Sequence, residues 1–121
     1  MGEHNELGKK GEKIAQEYLI TNGYQILHTN WRTGHLELDI VAQDGGELAV
    51  VEVKTRAGLK YGEPEEAVTL QKSRLIIRAT HYYIHKFQIE MPVRFDIITV
   101  IIDGASYRLE HIKDAFYPPL F

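Results

Sequence analysis

Glu37, Asp39, Glu52 and Lys54 are the residues whose types and spacing point most directly to chemistry. All four stand in one stretch, ELDIVAQDGGELAVVEVK, where two apolar runs flank Asp44-Gly45-Gly46-Glu47. Side chains at i and i+2 on a strand share a face, so Glu37 goes with Asp39 and Glu52 with Lys54. Gly-Gly favours a two-residue hairpin turn, which pairs Asp44 with Glu47. Counting back sets Asp39 opposite Glu52 and Glu37 opposite Lys54. A four-residue loop gives the same pairing, whereas a three-residue loop without a bulge separates the pairs.

Carboxylates directly opposite each other have Cβ atoms about 4.5–5.5 Å apart and repel. At the edge of an apolar region they need a proton or a cation. A divalent ion bridging Asp39 and Glu52 meets that need, and carboxylate oxygens with positions left to water suit Mg²⁺ or Mn²⁺. Such an ion polarises a phosphoryl oxygen and acidifies water, and the Lys54 amine is placed to orient that water or stabilise phosphate charge. The set fits metal-assisted hydrolysis of a phosphodiester. The same residues suit a plainer pattern equally well: cross-strand salt bridges, Glu37 with Lys54 and Asp39 with an arginine.

The elements that must position these residues are legible in the periodicity. From Asn5 to Asn22, Leu7, Ile14, Ala15, Tyr18 and Leu19 form a helical stripe, with Asn5 as N-cap and Asn22-Gly23 as the stop. Gly8 and Gly11 cost that helix about 1 kcal/mol each relative to Ala, so close packing or function must retain them. Strands are expected over 24–32, 36–42 and 48–55, with Tyr24, Ile26 and His28 sharing one face of the first. A loop over 57–64 leads to a helix ending at Phe87, broken near Thr69, itself an N-cap. Its apolar face is Leu75, Ile76, Ala79, Tyr82, Tyr83 and Phe87; Arg74, Arg78, His81 and His85 make a polar stripe. Strands over 93–102 and 107–112 follow, and the tail FYPPLF should lie extended against the body. The order αβββαββ implies an α/β fold, a mixed central sheet of about five strands flanked by two helices. The second helix serves as the crossover that returns the fourth strand parallel to one of the first three.

Composition bounds the class. A chain of 121 residues, 44% hydrophobic, fits one domain over 1–121 with a real core. No cysteine is present, which removes disulfides and thiolate chemistry and is compatible with a reducing, cytoplasmic setting. The N-terminus has no secretory apolar region, and no apolar run is long enough to span a bilayer, so no membrane partner is expected. A net charge of −3 argues against non-specific coating of nucleic acid but not against a basic face beside an acidic site.

Other residues carry weaker signals. Arg56, just after the second charged pair, and Lys72, near the start of the crossover helix, are the cations best placed for phosphates. His81 and His85 lack a third ligand at suitable spacing. Trp31 and Tyr61 offer rings for base stacking, though Trp31 reads more simply as packing. Asp96, in a strongly apolar strand, reads as a buried acid paired with Arg94 or Arg56 and supporting the site from behind.

The ordered motifs L-E-L-D-I-V-A-x-D-G and V-V-E-V-K-T-R resemble the core signature of the PD-(D/E)xK nuclease superfamily. The segments G-K-K-G-E-K-I-A-x-x-Y-L, N-G-Y-x-I-L-x-x-N-W-R and P-E-E-A-V extend the resemblance to the small bacterial YraN-like proteins, which are similar to archaeal Holliday-junction resolvases. It covers about Gly8 to Asp96. By resemblance, Asp39 is the metal-binding aspartate, Glu52 and Lys54 are the acidic residue and lysine, and Glu12 is the glutamate of the first helix. The family usually has Gly before the Glu of its G-E-x-D segment; here Leu36 stands there, which bears on the neighbouring turn. The resemblance implies a Mg²⁺-dependent endonuclease acting on DNA, including branched or damaged DNA, and by analogy a homodimer. A nucleic-acid-binding module that keeps the fold without cutting is the alternative.

Overall fold

The computed structural model describes residues 6–58 and 68–118. The elements are α1 (Glu6–Thr21), β1 (Gln25–Thr33), β2 (Leu36–Asp44), β3 (Glu47–Ala57), α2 (Leu70–Phe87), β4 (Val93–Asp103) and β5 (Ser106–Ile112). This is the expected αβββαββ order. One five-stranded sheet runs β1-β2-β3-β4-β5. Only the β3–β4 pair is parallel; β1–β2, β2–β3 and β4–β5 are antiparallel. A tight hairpin cannot join parallel neighbours, and α2 supplies the crossover. The expectations for Asn5, for 59–67 with Tyr61, and for Pro119 to Phe121 lie outside the described residues.

Each helix covers one face. On the α1 side, Ala15 and Leu19 pack with Ile40, Ala42, Val51, Ile98 and Val100. On the α2 side, Ile76, Ala79 and Tyr83 pack with Leu38, Val41, Val50 and Phe95. The central strands β3 and β4 contribute buried residues to both clusters, so they read as nearly unbroken apolar runs rather than alternating ones. Of the tail, Phe116 stacks on Phe95 with ring centroids 5.1 Å apart, as a segment laid against the body should.

The helices end as their sequences imply, with one correction. Thr69 caps α2, accepting from the Lys72 N–H at 3.1 Å, and Gln88 closes it in the left-handed conformation. Arg74, Arg78, His81 and His85 are exposed. Tyr82 and Phe87, expected on the buried face, are 54% and 37% exposed. The helix turns its Ile76–Ile77 and Ala79–Thr80 flank to the sheet instead, and Tyr82 falls off the edge of that contact.

The first strand also departs from simple alternation. A bulge between Ile26 and His28 puts Leu27 and His28 both toward α2, where His28 Nδ1 and the Tyr83 hydroxyl are hydrogen-bonded at 2.7 Å. An inserted residue shifts every later side chain to the other face, so His28 does not join Tyr24 and Ile26.

Asp96 is wholly buried and pairs with Arg94, one of the two arginines expected. The Arg94 Nε and Nη2 atoms donate to its two oxygens at 3.0 Å, and His111 Nε2–H donates at 2.8 Å. The other nitrogen of His111 is hydrogen-bonded to the Tyr18 hydroxyl at 2.9 Å. Arg94 also reaches Asp44 and Glu47, beside the β2–β3 turn, at 3.0 and 2.9 Å. Arg56 takes no part. Asp96 therefore ties the hairpin end of the sheet to β5 and α1, rather than backing the Asp39–Glu52 pair.

Gly11 marks where α1 lies against β3. A Cβ there would collide with Thr55 Oγ1 and stand only 2.7 and 2.8 Å from Thr55 Cγ2 and Cβ. Thr55 is β-branched and strand-bound, so it cannot swing aside cheaply. Gly11→Ala is expected to destabilise the fold by about 1–3 kcal/mol despite the better helix propensity of Ala. Thermal or denaturant unfolding checks this; a Gly11→Ala variant as stable as the parent would show that the contact is not tight.

Candidate active site

The site arises where two paired strands break their alternation together. On β2, Leu36, Leu38 and Val41 face α2, while Ile40 and Ala42 face α1, so the pattern slips by one residue at Asp39. On β1 the neighbours pair as Thr29–Ile40 and Trp31–Leu38, passing over Asn30 and Asp39. Asn30 is left-handed, with φ 51°, a conformation Asn tolerates better than most residues. The kink leaves β1 and β2 in register with each other but takes β2 out of register with β3.

The β2–β3 ladder accordingly runs from Asp44–Glu47 to Ile40–Val51 and ends. This is the register that the Gly45-Gly46 turn predicts, one pair short of Asp39–Glu52. Beyond the break the Val53 N–H donates to Asp39 Oδ2 at 2.9 Å. A carboxylate thus takes the place of a strand carbonyl, and its removal would leave a buried N–H unpaired at a cost of about 1–3 kcal/mol. Asp39 and Glu52 still meet closely enough for each to shift the other's protonation. The expected Glu37–Lys54 pair does not form across the ladder. Glu37 instead faces Arg32 on β1, 3.5 Å away, because β2 follows β1 after the kink.

Glu52 is only 6% exposed, and Asp39 is partly open. Burial, followed by the nearby charge of Asp39, pushes Glu52 up to about 8. Burial also raises Asp39, against the stabilising Val53 N–H and the charge of Lys72. The two carboxyls therefore share a proton near neutral pH, Glu52 holding it and Asp39 accepting. The nearest cation is Lys72 of α2, whose Nζ lies 3.2 Å from Glu52 Oε2. Burial works against its charge, while Glu52 and Asp39 favour it, with a net rise in its pKa.

The remaining sequence candidates divide. Lys54 is on β3 two residues from Glu52, half-buried, and makes no ion pair among the described residues. Arg56, one more step along the same face, is likewise unpaired among the described residues. Lys72 is not peripheral: it enters the carboxylate pair itself. The Thr69 cap places Lys72 in the first turn of α2, and its reach to Glu52 comes from how that helix lies over the sheet. Glu12 follows Gly11, so it stands at the Thr55 end of β3, approaching from the α1 side. The α2-side pair of Glu52 and Lys72 lies across the sheet from that helix. His81 and His85 gain no third ligand; among the described residues no three His, Asp or Glu side chains converge as a cage.

Two carboxylates and two lysines at a fork in a mixed α/β sheet define a small domain with a charged, buried polar site. The chain belongs to the family described as uncharacterised protein family UPF0102, whose model matches residues 11–100. This is the family that the sequence motifs resemble. A UPF0102 protein of Bacteroides thetaiotaomicron is 58% identical over 121 residues, the whole of both chains. One from Parabacteroides distasonis is 47% identical over 119 residues, 98% of each chain. Another from Porphyromonas gingivalis is 48% identical over 118 residues, 96% of this chain and 87% of the relative. Among the described residues no helix is long and apolar enough to cross a membrane.

The shared proton gives the protein a distinctive pH dependence. The folded state holds the Glu52 proton up to about pH 8, whereas the unfolded chain releases it near 4.5. Between those values the folded state binds more protons, so stability falls as pH rises. Asp96 acts in the opposite sense: its folded pKa is lowered from 3.8, chiefly by His111 and Arg94 against its burial, so its contribution is lost as the solution turns acid. Glu52→Gln is expected to flatten the decline between pH 5 and 8 and leave the acid limb intact. Melting temperature against pH, measured with chelator present, tests this. A Glu52→Gln curve parallel to the parent's over that window would contradict it.

Proposed function

We propose that the protein is a metal-dependent endonuclease-like enzyme that hydrolyses phosphodiester bonds in DNA. The carrying observation is the Asp39–Glu52 pair, set at the break in the β2–β3 ladder with one carboxylate buried and the other partly open. Two carboxylates that cannot both stay charged without a counter-charge make a cation site by their chemistry. Lys72 already lies where a positive charge is wanted. The absence of a third acid in a closed cage, among the described residues, fits a hydrated ion that keeps waters and substrate oxygens, as Mg²⁺ or Mn²⁺ does. In that reading Asp39 and Glu52 hold the ion, which when bound polarises the phosphoryl group and its water.

The chain's own residues then take separable tasks. Val53 N–H fixes the Asp39 carboxylate, leaving its other oxygen to bind. Glu52 would have to be deprotonated to hold a cation, so metal affinity would rise with pH. Lys54, without an ion pair among the described residues, would stabilise charge on the phosphate or orient the attacking water. Lys72, now on Glu52, would be available to the phosphate if a cation took its place. Arg56 binds the flanking backbone, while Glu12, across the sheet on the α1 side, takes no part in holding the ion.

A second reading draws on the same Lys72–Glu52 contact. With an ammonium 3.2 Å from the buried carboxylate, the site is partly satisfied without metal, as suits a nucleic-acid-binding module that does not cut. Metal dependence separates the two. The enzyme reading predicts Mg²⁺- or Mn²⁺-dependent cleavage of duplex, flap or branched DNA. Asp39→Asn, which keeps an oxygen for Val53 N–H, and Lys54→Ala are expected to lower the rate about 100-fold or more with unchanged melting. Failure to cut any of these substrates with either ion, while DNA is still bound, would favour the module.

A further inference from the structure

Away from the carboxylates, the edge between β1 and α2 carries a cleft of about 520 Å³ lined by Trp31, Thr33, His81, Tyr82, His85 and Lys86. Its lining combines two aromatic rings, two imidazoles and an ammonium, and includes no carboxylate among the described residues. That is unusual on a chain whose net charge is −3. Tyr82 is 54% exposed, and no ring contact holds it among the described residues. Trp31, by contrast, is fixed. Its ring meets Tyr83 edge-on at 5.1 Å and 86°, and Phe87 at 6.2 Å and 64°. Phe87 is in turn packed by His28 at 4.8 Å. A rigid, half-buried indole beside a free phenol ring is costly to leave in water unless something planar covers it.

The direction of the cleft relates it to the site. Lys72 and Tyr82 are on one helix, so ten residues at 1.5 Å each separate them by about 15 Å along its axis. Arg74 and Arg78, both exposed, stand on the interval. A cationic stripe of Arg74 and Arg78 along the outer side of α2 therefore leads to the aromatic cleft, while Lys72, about 160° around the helix from Arg74, faces the carboxylates. Phosphates match the stripe, and the faces of unpaired bases match Trp31 and Tyr82, since every base offers a π surface. Duplex bases are already stacked and cannot enter.

We propose that this cleft is a stacking subsite for unpaired nucleotides. Tyr82 and Trp31 receive a base from a single-stranded segment, and Lys86, His81 and His85 hold its phosphates. The substrate class rests on the nucleic-acid reading above but not on cleavage. It adds a structural preference: a strand that is unpaired about 15 Å from the carboxylates.

Trp31 is the only tryptophan of the chain, so its emission reports the cleft directly. The test titrates the full chain, in chelator so that nothing is cut, with a 20-nucleotide oligothymidylate, a blunt duplex of equal length, and heparin as a base-free polyanion. Saturable quenching by the oligothymidylate is expected, with binding at least about 10-fold tighter than the duplex. Tyr82→Ala, at an exposed position, should weaken that binding about 10-fold while leaving heparin affinity and melting unchanged. Lys86→Glu should weaken both. Absence of quenching, equal quenching by heparin, or a Tyr82→Ala variant that binds oligothymidylate like the parent would overturn the proposal. A protein that quenches but cuts nothing keeps the subsite and loses the nuclease; one that cuts without quenching does the reverse.

Discussion

The structure turns on one hydrogen bond, from the Val53 N–H to Asp39. A sheet cannot leave a buried backbone donor unpaired, and β2 departs from β3 just where that donor needs a partner. Asp39 supplies it from a side chain. The exchange of a carbonyl for a carboxylate lets the sheet fork without loss. It also puts a negative group at the fork, where Glu52 is already committed by the alternation of β3. Much of the local electrostatics follows: a buried like-charge pair, a retained proton, and an ammonium drawn in from α2.

Around the fork the rest of the fold acts as support. The parallel β3–β4 pair is covered on both faces and gives the site a rigid floor. The Arg94–Asp96–His111 network locks the opposite end of the hairpin, so the register that brings Asp39 to Glu52 is held far from the charges themselves. Gly11 lets α1 sit on Thr55 and bring Glu12 to the same strand end. Stability and site geometry are thus separable. The polar network stabilises the fold until acid protonates Asp96, while the carboxylate pair weakens the protein toward alkaline pH.

Much of this was legible in the sequence because it rests on short-range rules. Periodicities of 3.6 and 2 locate both helices and the strands, and Gly-Gly sets the β2–β3 register. The three departures share a cause. Leu27, Asn30 and Asp39 break alternation through bulges and kinks whose local signals are slight: an ordinary Leu, one Asn, one Asp. Glu37 was assigned to Lys54 by extending a ladder that in fact stops. Asp96 pairs with Arg94 as its neighbourhood suggests, but the histidine from β5, 15 residues on, that completes its surroundings has no local signal. The role of Lys72 inside the carboxylate pair depends on how α2 is laid over the sheet, which no local pattern encodes. Tyr82 likewise followed the helical stripe but lies beyond the edge of what it packs against.

We propose that Asp39 and Glu52 together form a divalent-cation site in which Lys72 stands in for the ion. A crystal structure of the protein soaked with Mn²⁺, read by anomalous scattering, tests it most directly. The predicted result is a single strong peak between the Asp39 and Glu52 carboxylates, with Lys72 withdrawn from Glu52. Saturating Mn²⁺ that leaves no peak there and the Lys72–Glu52 contact intact would contradict it.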